Sequence, residues 1–188
     1  MNGNYHFVHP RFWAATLHRA TFSCMCTRPS DVTPPTISAL TEALRGDHLV
    51  RIVGTRTMAA RIPKAPPTAR TISTKAMAGL VVDPLNLIAR AEAGVRISDL
   101  RDRLHEGGVV WPVETLEPTG TVGGLIASGR GSAILAEDMP ARRWILGATI
   151  VLTSGQVISS GGVTVKNSSG YAITHAMWGS RGRLAVLA

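Results

Sequence analysis

Glu117-Pro118-Thr119-Gly120-Thr121-Val122-Gly123-Gly124-Leu125-Ile126-Ala127-Ser128-Gly129-Arg130-Gly131 is the stretch that decides how the rest of the chain is read. Five of its fifteen residues are glycine, and most of the others are small. A backbone so little encumbered exposes consecutive N–H groups, and phosphate oxygens are their usual guest. Pro118 stiffens the entry, while Leu125 and Ile126 give the stretch an apolar anchor. The spacing is not the Walker pattern, since no Gly-Lys-Ser/Thr follows, nor is it Gly-x-Gly-x-x-Gly opening a βαβ unit. Glycine content alone describes a surface loop equally well. The flanks have to decide.

With 188 residues the chain suits one domain or two small lobes, large enough to bury roughly 70% of its unfolded surface. An apolar content of 45% against 17% charged describes a folded globular protein. No apolar run approaches the ~18 residues of a membrane span, so a soluble protein is expected. The net charge of +8 is unevenly placed. From Met139 to Ala188 there are five basic residues and no acidic one, and from Arg45 to Lys75 seven basic residues face Asp47 alone. That balance favours an anionic partner: a nucleotide cofactor, a carboxylate substrate, a nucleic acid or an acidic protein surface. Cys24 and Cys26 are too close for an unstrained disulfide and have no second pair for zinc, so they read as free thiols of a reducing, cytoplasmic compartment.

Residues 1–30 carry Arg11, Arg19 and Arg28 and no carboxylate, which fits a transit peptide or a poorly structured extension with no structural role. Thr33-Pro34 or Pro34-Pro35 suits a helix cap and first turn, and Ile37, Leu40 and Leu44 recur at helical spacing before Gly46. His48–Val53 alternates as a strand and feeds the turn Gly54-Thr55-Arg56-Thr57. Short strands follow near Arg70–Ser73, Gly79–Val82 and Asn86–Glu92. Ser98–Glu106 reads as a helix with Leu100 and Leu104 on one face and Asp99/Arg103 in the favourable (i, i+4) order. Beyond the glycine stretch, Trp144–Thr153 and Gln156–Ser159 flank Ser154-Gly155 as a two-residue hairpin. Tyr171–Trp178 is a short amphipathic helix, and Arg183–Leu187 a terminal strand. Helices and strands intermix, giving an α+β or α/β class.

Three pieces now line up: the strand into Gly54-Thr55, the Gly120–Gly131 stretch, and Lys166-Asn167-Ser168-Ser169-Gly170-Tyr171 ahead of Gly179-Ser180-x-Gly182-x-Leu184. In this order they resemble the FAD-binding domain of the vanillyl-alcohol oxidase/p-cresol methylhydroxylase (PCMH-type) family, and within it the FAD-binding subunits of glycolate oxidases. The resemblance runs from about Thr36 to Ala188 and leaves the first thirty residues uncovered. It implies an α+β, PCMH-type FAD-binding fold of two α/β lobes over residues 31–188, with FAD extended between them. It also implies that the C-terminal substrate domain of such proteins is not included. Carried over, the cofactor-binding residues would be Val53, Gly54, Thr55 and Thr57 of the first loop. From the second they would be Pro118, Thr119, Thr121, Val122, Gly123, Gly124, Ala127, Ser128 and Gly131, joined by Val186 of the last strand. The Val53–Thr57 turn and the Thr121–Ser128 loop would wrap the pyrophosphate with backbone amides, Thr119 would lie near the flavin, and Val186 would support the adenosine half. Where the family has a run of glycines before the threonine of the first loop, this chain keeps Gly54 only. Arg183 and Ala185 stand where the terminal motif has threonine and glycine.

Single residues add little. His105, His175 and Tyr171 suit solvated or packed positions, Glu114 and Glu117 suit a strand face or turn, and no Ser/His/Asp or Cys/His set for nucleophilic catalysis is present. In flavoenzymes the cofactor carries the redox step, so catalytic residues stay unassigned. The expectation is an FAD-binding module or subunit of a flavin-dependent 2-hydroxy-acid (glycolate-type) oxidoreductase, non-covalently bound to FAD and working with partner subunits of a glycolate-oxidase-like complex. The rival is a degenerate flavin-domain fragment that serves only as an assembly partner. Nucleic-acid binding is disfavoured, because aromatic and basic residues do not interleave and no helix-turn-helix or zinc pattern occurs.

Overall fold

The computed structural model describes residues 31–57, 65–115, 118–133, 141–162 and 173–188. The Lys166–Tyr171 motif, Glu117 and the two cysteines lie outside the described residues. Helix α1 (Ile37–Leu44) starts at Thr36, whose hydroxyl accepts the Ala39 N–H at 3.2 Å. The cap is therefore Thr36, and neither Thr33-Pro34 nor Pro34-Pro35. Thr36 combines an extended backbone with a side-chain acceptor, and the prolines only lead into it. Leu40, Ala43 and Leu44 are buried. Strand β1 (Val50–Val53) pairs in parallel with β2 (Arg70–Ser73), in register Val50↔Arg70 to Val53↔Ser73, and Val32 adds a bridge to Ile72.

Strands β3 (Leu80–Asp83) and β4 (Ile88–Ala91) form an antiparallel hairpin. Its turn is clamped by Asp83, which accepts from the Asn86 side chain at 2.7 Å and the Asn86 N–H at 3.2 Å. The side-chain bond, ahead of the backbone one, holds the Asp83 carboxyl below its ordinary value. In α2 (Ile97–Glu106) the residues Ile97, Leu100 and Leu104 face inward. Arg103 pairs with Glu106 at 2.6 Å instead of with Asp99, which accepts the Ser98 hydroxyl at 2.9 Å. Strand β5 (Val113–Glu114) pairs with β6 (Ser132–Ala133), and helix α3 (Val122–Ser128) lies between them in sequence. Strands β7 (Gly147–Val151) and β8 (Val157–Gly161) are antiparallel, and their connection is a three-residue loop. It is closed by a Leu152 N–H to Gln156 bond, with Gly155 at φ 84° completing the turn, so the two-residue reading was one residue short. Helix α4 (Ile173–Met177) precedes β9 (Val186–Leu187), which pairs antiparallel with β7.

The two-lobe expectation takes physical form in the β8-β7-β9 sheet. Successive side chains of a strand point to opposite faces. On β7, Ile150 enters a core with Leu100, Leu104, Val122, Ile126 and Met177, while Val151 enters another with Leu40, Leu44, Ile72 and Met77. On β9, Leu187 joins the first of these cores and Val186 the second. The central sheet is a shared wall, and β1/β2 with α1 stand on one side of it while α2, α3 and the β3/β4 hairpin stand on the other. Among the described residues no helix is long and apolar enough to cross a membrane.

Candidate functional site

The glycine-rich stretch is a helix, not an open loop. Thr121 caps α3, its hydroxyl accepting the Gly124 N–H at 3.1 Å, and Gly129 at φ 64° ends it. Position 123 is glycine because the helix lies close against the turn that follows β4. A Cβ there would meet the Ala93 Cβ at 2.8 Å and the Ala93 carbonyl oxygen at 2.9 Å. Neither Gly123 nor Gly124 has a positive φ, so backbone freedom is not the reason for either. The amides of the first turn are committed inside the chain: Val122 N–H donates to the Val95 carbonyl, Gly123 to Ala93, and Leu125 to Thr121. The expected wrapping by consecutive Thr121–Ser128 amides is therefore reduced, because helix capping and anchoring to the 93–96 segment take those donors first.

The first loop is different. Among the described residues the N–H groups of Gly54, Thr55, Arg56 and Thr57 have no intramolecular acceptor. The loop is nonetheless fixed. Thr55 Oγ1 donates to the Thr119 carbonyl at 3.0 Å, and the Arg56 guanidinium pairs with Asp31. Gly54 sits where only hydrogen fits, since a Cβ would lie 2.3 Å from Thr121 Oγ1. Arg56 occupies the left-handed region at φ 63°, a conformation that a non-glycine residue keeps only when its surroundings hold it.

These two loops border an open cleft of about 1290 Å³, a volume that includes its mouth. Its apolar wall comes from Ala93, Ile97, Leu125, Met177, Ala185 and Leu187. Arg51, Arg56, Arg130 and Arg181 also line it, and among the described residues no aspartate or glutamate does. Four cations around a semi-enclosed space, with one engaged by Asp31, give a strongly positive interior suited to a polyanion.

Of the residues singled out from sequence, Val53, Gly54, Thr55, Thr57, Thr121, Gly123, Gly124, Ala127, Ser128 and Val186 line this cleft. Pro118, Thr119, Val122 and Gly131 do not. The Pro118 carbonyl accepts the Ser98 N–H, and the Thr119 carbonyl fastens the two loops. Val122 is buried in the core, and Gly131 gives room to Val113 and Trp178. Arg51, Arg130 and Arg181 were not singled out. For Arg51 the alternation of β1 carried a usable signal, since it shares a face with Val53. Arg130 and Arg181 meet at the cleft through tertiary contacts that include the Arg181 N–H to Ala127 carbonyl bond at 2.7 Å. Among the described residues no group of three or more His, Cys, Asp or Glu side chains could hold a metal ion.

Comparison with known proteins gives the same picture. The D-lactate dehydrogenase of Archaeoglobus fulgidus is 39% identical over 116 residues, covering 62% of this chain and 26% of that protein. The glycolate oxidase subunit GlcE of Escherichia coli is 30% identical over 125 residues, covering 65% of this chain and 36% of that protein. The chain thus spans about a quarter to a third of the length of these relatives. Among solved structures, Phl p 4, a grass pollen allergen with glucose dehydrogenase activity, superposes with a TM-score of 0.67 at 19% identity over 84% of this chain and 33% of that one. At that identity the likeness speaks for the fold alone. The model of the FAD binding domain family matches residues 34–161, more than half of the chain, and this protein is a member of that FAD-binding family.

Proposed function

We propose that this chain is the FAD-binding module of a 2-hydroxy-acid oxidoreductase of the D-lactate or glycolate kind, operating in the reducing cytoplasm. The observation that carries the cofactor assignment is the cleft itself: four unbonded amides at Gly54–Thr57, arginines on its walls, and an apolar face for a flat ring. These residues fit FAD. The Gly54–Thr57 amides and the arginines would take the pyrophosphate, and Ala93, Ile97, Leu125 and Met177 the apolar ring. FAD, when bound, supplies the acceptor for the hydride of the α-carbon. The chain's own residues bind and orient it: Thr55 keeps the first loop against Thr119, and Thr121 keeps α3 beside it.

The names of the relatives support the substrate class, as hydroxy-acid dehydrogenases and oxidase subunits. Apart from arginines, no ionisable side chain among the described residues lines the cleft, so none of these is placed to take the proton of an α-hydroxyl. We therefore assign that proton acceptor, and the cover over the ring, to polypeptide beyond the described residues or to partner subunits of a glycolate-oxidase-like assembly. Dye reduction by the FAD-loaded chain with glycolate, D-lactate and D-2-hydroxyglutarate tests this. Negligible turnover alone and turnover on adding the partner polypeptide is the expected result. Robust turnover by the 188 residues alone would overturn the division of labour.

A further inference from the structure

Arg51 differs from the other cations of the cleft. On β1, Val50 and Ile52 pack onto the core that holds Leu40 and Ile72, while Arg51 lies two residues from the buried, cleft-lining Val53 on the alternate face. Its Nε is closed off from solvent and has no hydrogen-bond partner. Its charge joins none of the ion pairs among the described residues, which use Arg45, Arg56 and Arg103. A guanidinium nitrogen withdrawn from water with no acceptor has lost hydration without recompense, and native structures keep few such groups without a purpose. Among the described residues the cleft lining holds no carboxylate to meet it. Arg130 and Arg181 are exposed, so water and salt screen them, and Arg56 is held by Asp31.

The unbonded amides begin at Gly54, about 10 Å along the strand from Arg51. Both features suit an anion that carries several oxygens. We propose that Arg51 recognises the phosphoanhydride of the dinucleotide, so that preference for FAD over its flavin half depends on this side chain. The inference rests on the FAD reading above. A guanidinium suits the role better than an ammonium, because its planar fork meets two phosphate oxygens at once.

The test uses the full chain with FAD, ADP and riboflavin, measuring Kd by calorimetry for wild type, Arg51→Gln, Arg51→Lys and Arg130→Gln. Arg51→Gln weakens FAD and ADP by about tenfold to a hundredfold, the range of a charge-assisted hydrogen bond, and leaves riboflavin unchanged. Arg130→Gln costs less, because its charge is exposed. Should Arg51→Gln not fold by circular dichroism, Arg51→Lys decides, with a loss of about tenfold for ADP expected once the fork is gone. Equal losses for riboflavin and FAD, a larger loss from Arg130→Gln, or unchanged ADP affinity in the readable Arg51 variant would each overturn the assignment. A wild type that binds neither FAD nor ADP refutes the cofactor reading before any variant is compared.

Discussion

Adding one methyl group at Gly54 should do more harm than its size suggests. The new Cβ would sit 2.3 Å from Thr121 Oγ1, 3.0 Å from Thr121 Cγ2 and 3.2 Å from Thr121 Cβ. Thr121 is 2% exposed and has nowhere to retreat without leaving the Gly124 N–H it caps. Losing the cap costs about 0.5–2 kcal/mol and overpacking typically about 1–3 kcal/mol, so Gly54→Ala should destabilise by about 2–4 kcal/mol. Because both losses pass through one side chain, Thr121→Ala should absorb much of the damage. In a double-mutant cycle by urea unfolding, Gly54→Ala with Thr121→Ala should cost less than the two singles combined, by about 1 kcal/mol or more. Additive losses, or a Gly54→Ala within about 0.5 kcal/mol of wild type, would show that the two loops are not in the close approach described.

Two neighbouring glycines should separate fold from ligand. Gly123→Ala drives a methyl into Ala93 and should lower Tm by several degrees, measured by thermal denaturation without ligand. Gly124 is exposed at the cleft with only Thr121 Oγ1 nearby at 3.1 Å, so Gly124→Val should keep most of the stability and weaken FAD at least tenfold by fluorescence titration. The Asp83 clamp should make the β3/β4 turn acid-sensitive. The folded-state value lies below the ordinary aspartate value of about 3.9, so its contribution is full above that pH and fades as pH falls through the folded value. Hydrogen exchange at the Asn86 amide down a pH series should show that loss in wild type and not in Asp83→Asn.

Periodic segments were legible in the sequence. Leu40 and Leu44 placed α1 and Leu100 and Leu104 placed α2, because each helix buries one face, and alternation placed β1. The glycine stretch was not legible as a helix. Its glycines mask a helical segment whose small residues serve packing against Ala93 and room near Thr121. The same ambiguity misdirected Val122 and Gly131, which read as ligand-facing and pack inward. The glycine and hydroxyl residues of the first loop were legible because a strand ending in Gly-Thr is a local signal. Arg130 and Arg181 were not, since an arginine in a turn reads as a solvated side chain until the tertiary fold brings both around one space with Gly54.

The most direct test compares FAD with riboflavin on the purified chain, by visible absorption after desalting and by thermal shift on ligand addition. The amides of Gly54–Thr57 and the arginines of the cleft have no purchase on riboflavin, which lacks the pyrophosphate. FAD at a hundred times its Kd should add about 2.7 kcal/mol of stability and raise Tm by several degrees, with riboflavin giving a markedly smaller rise. Retained flavin absorbance with that ordering supports an FAD-binding module. Equal shifts from both ligands, or no shift and no retained flavin, would contradict it.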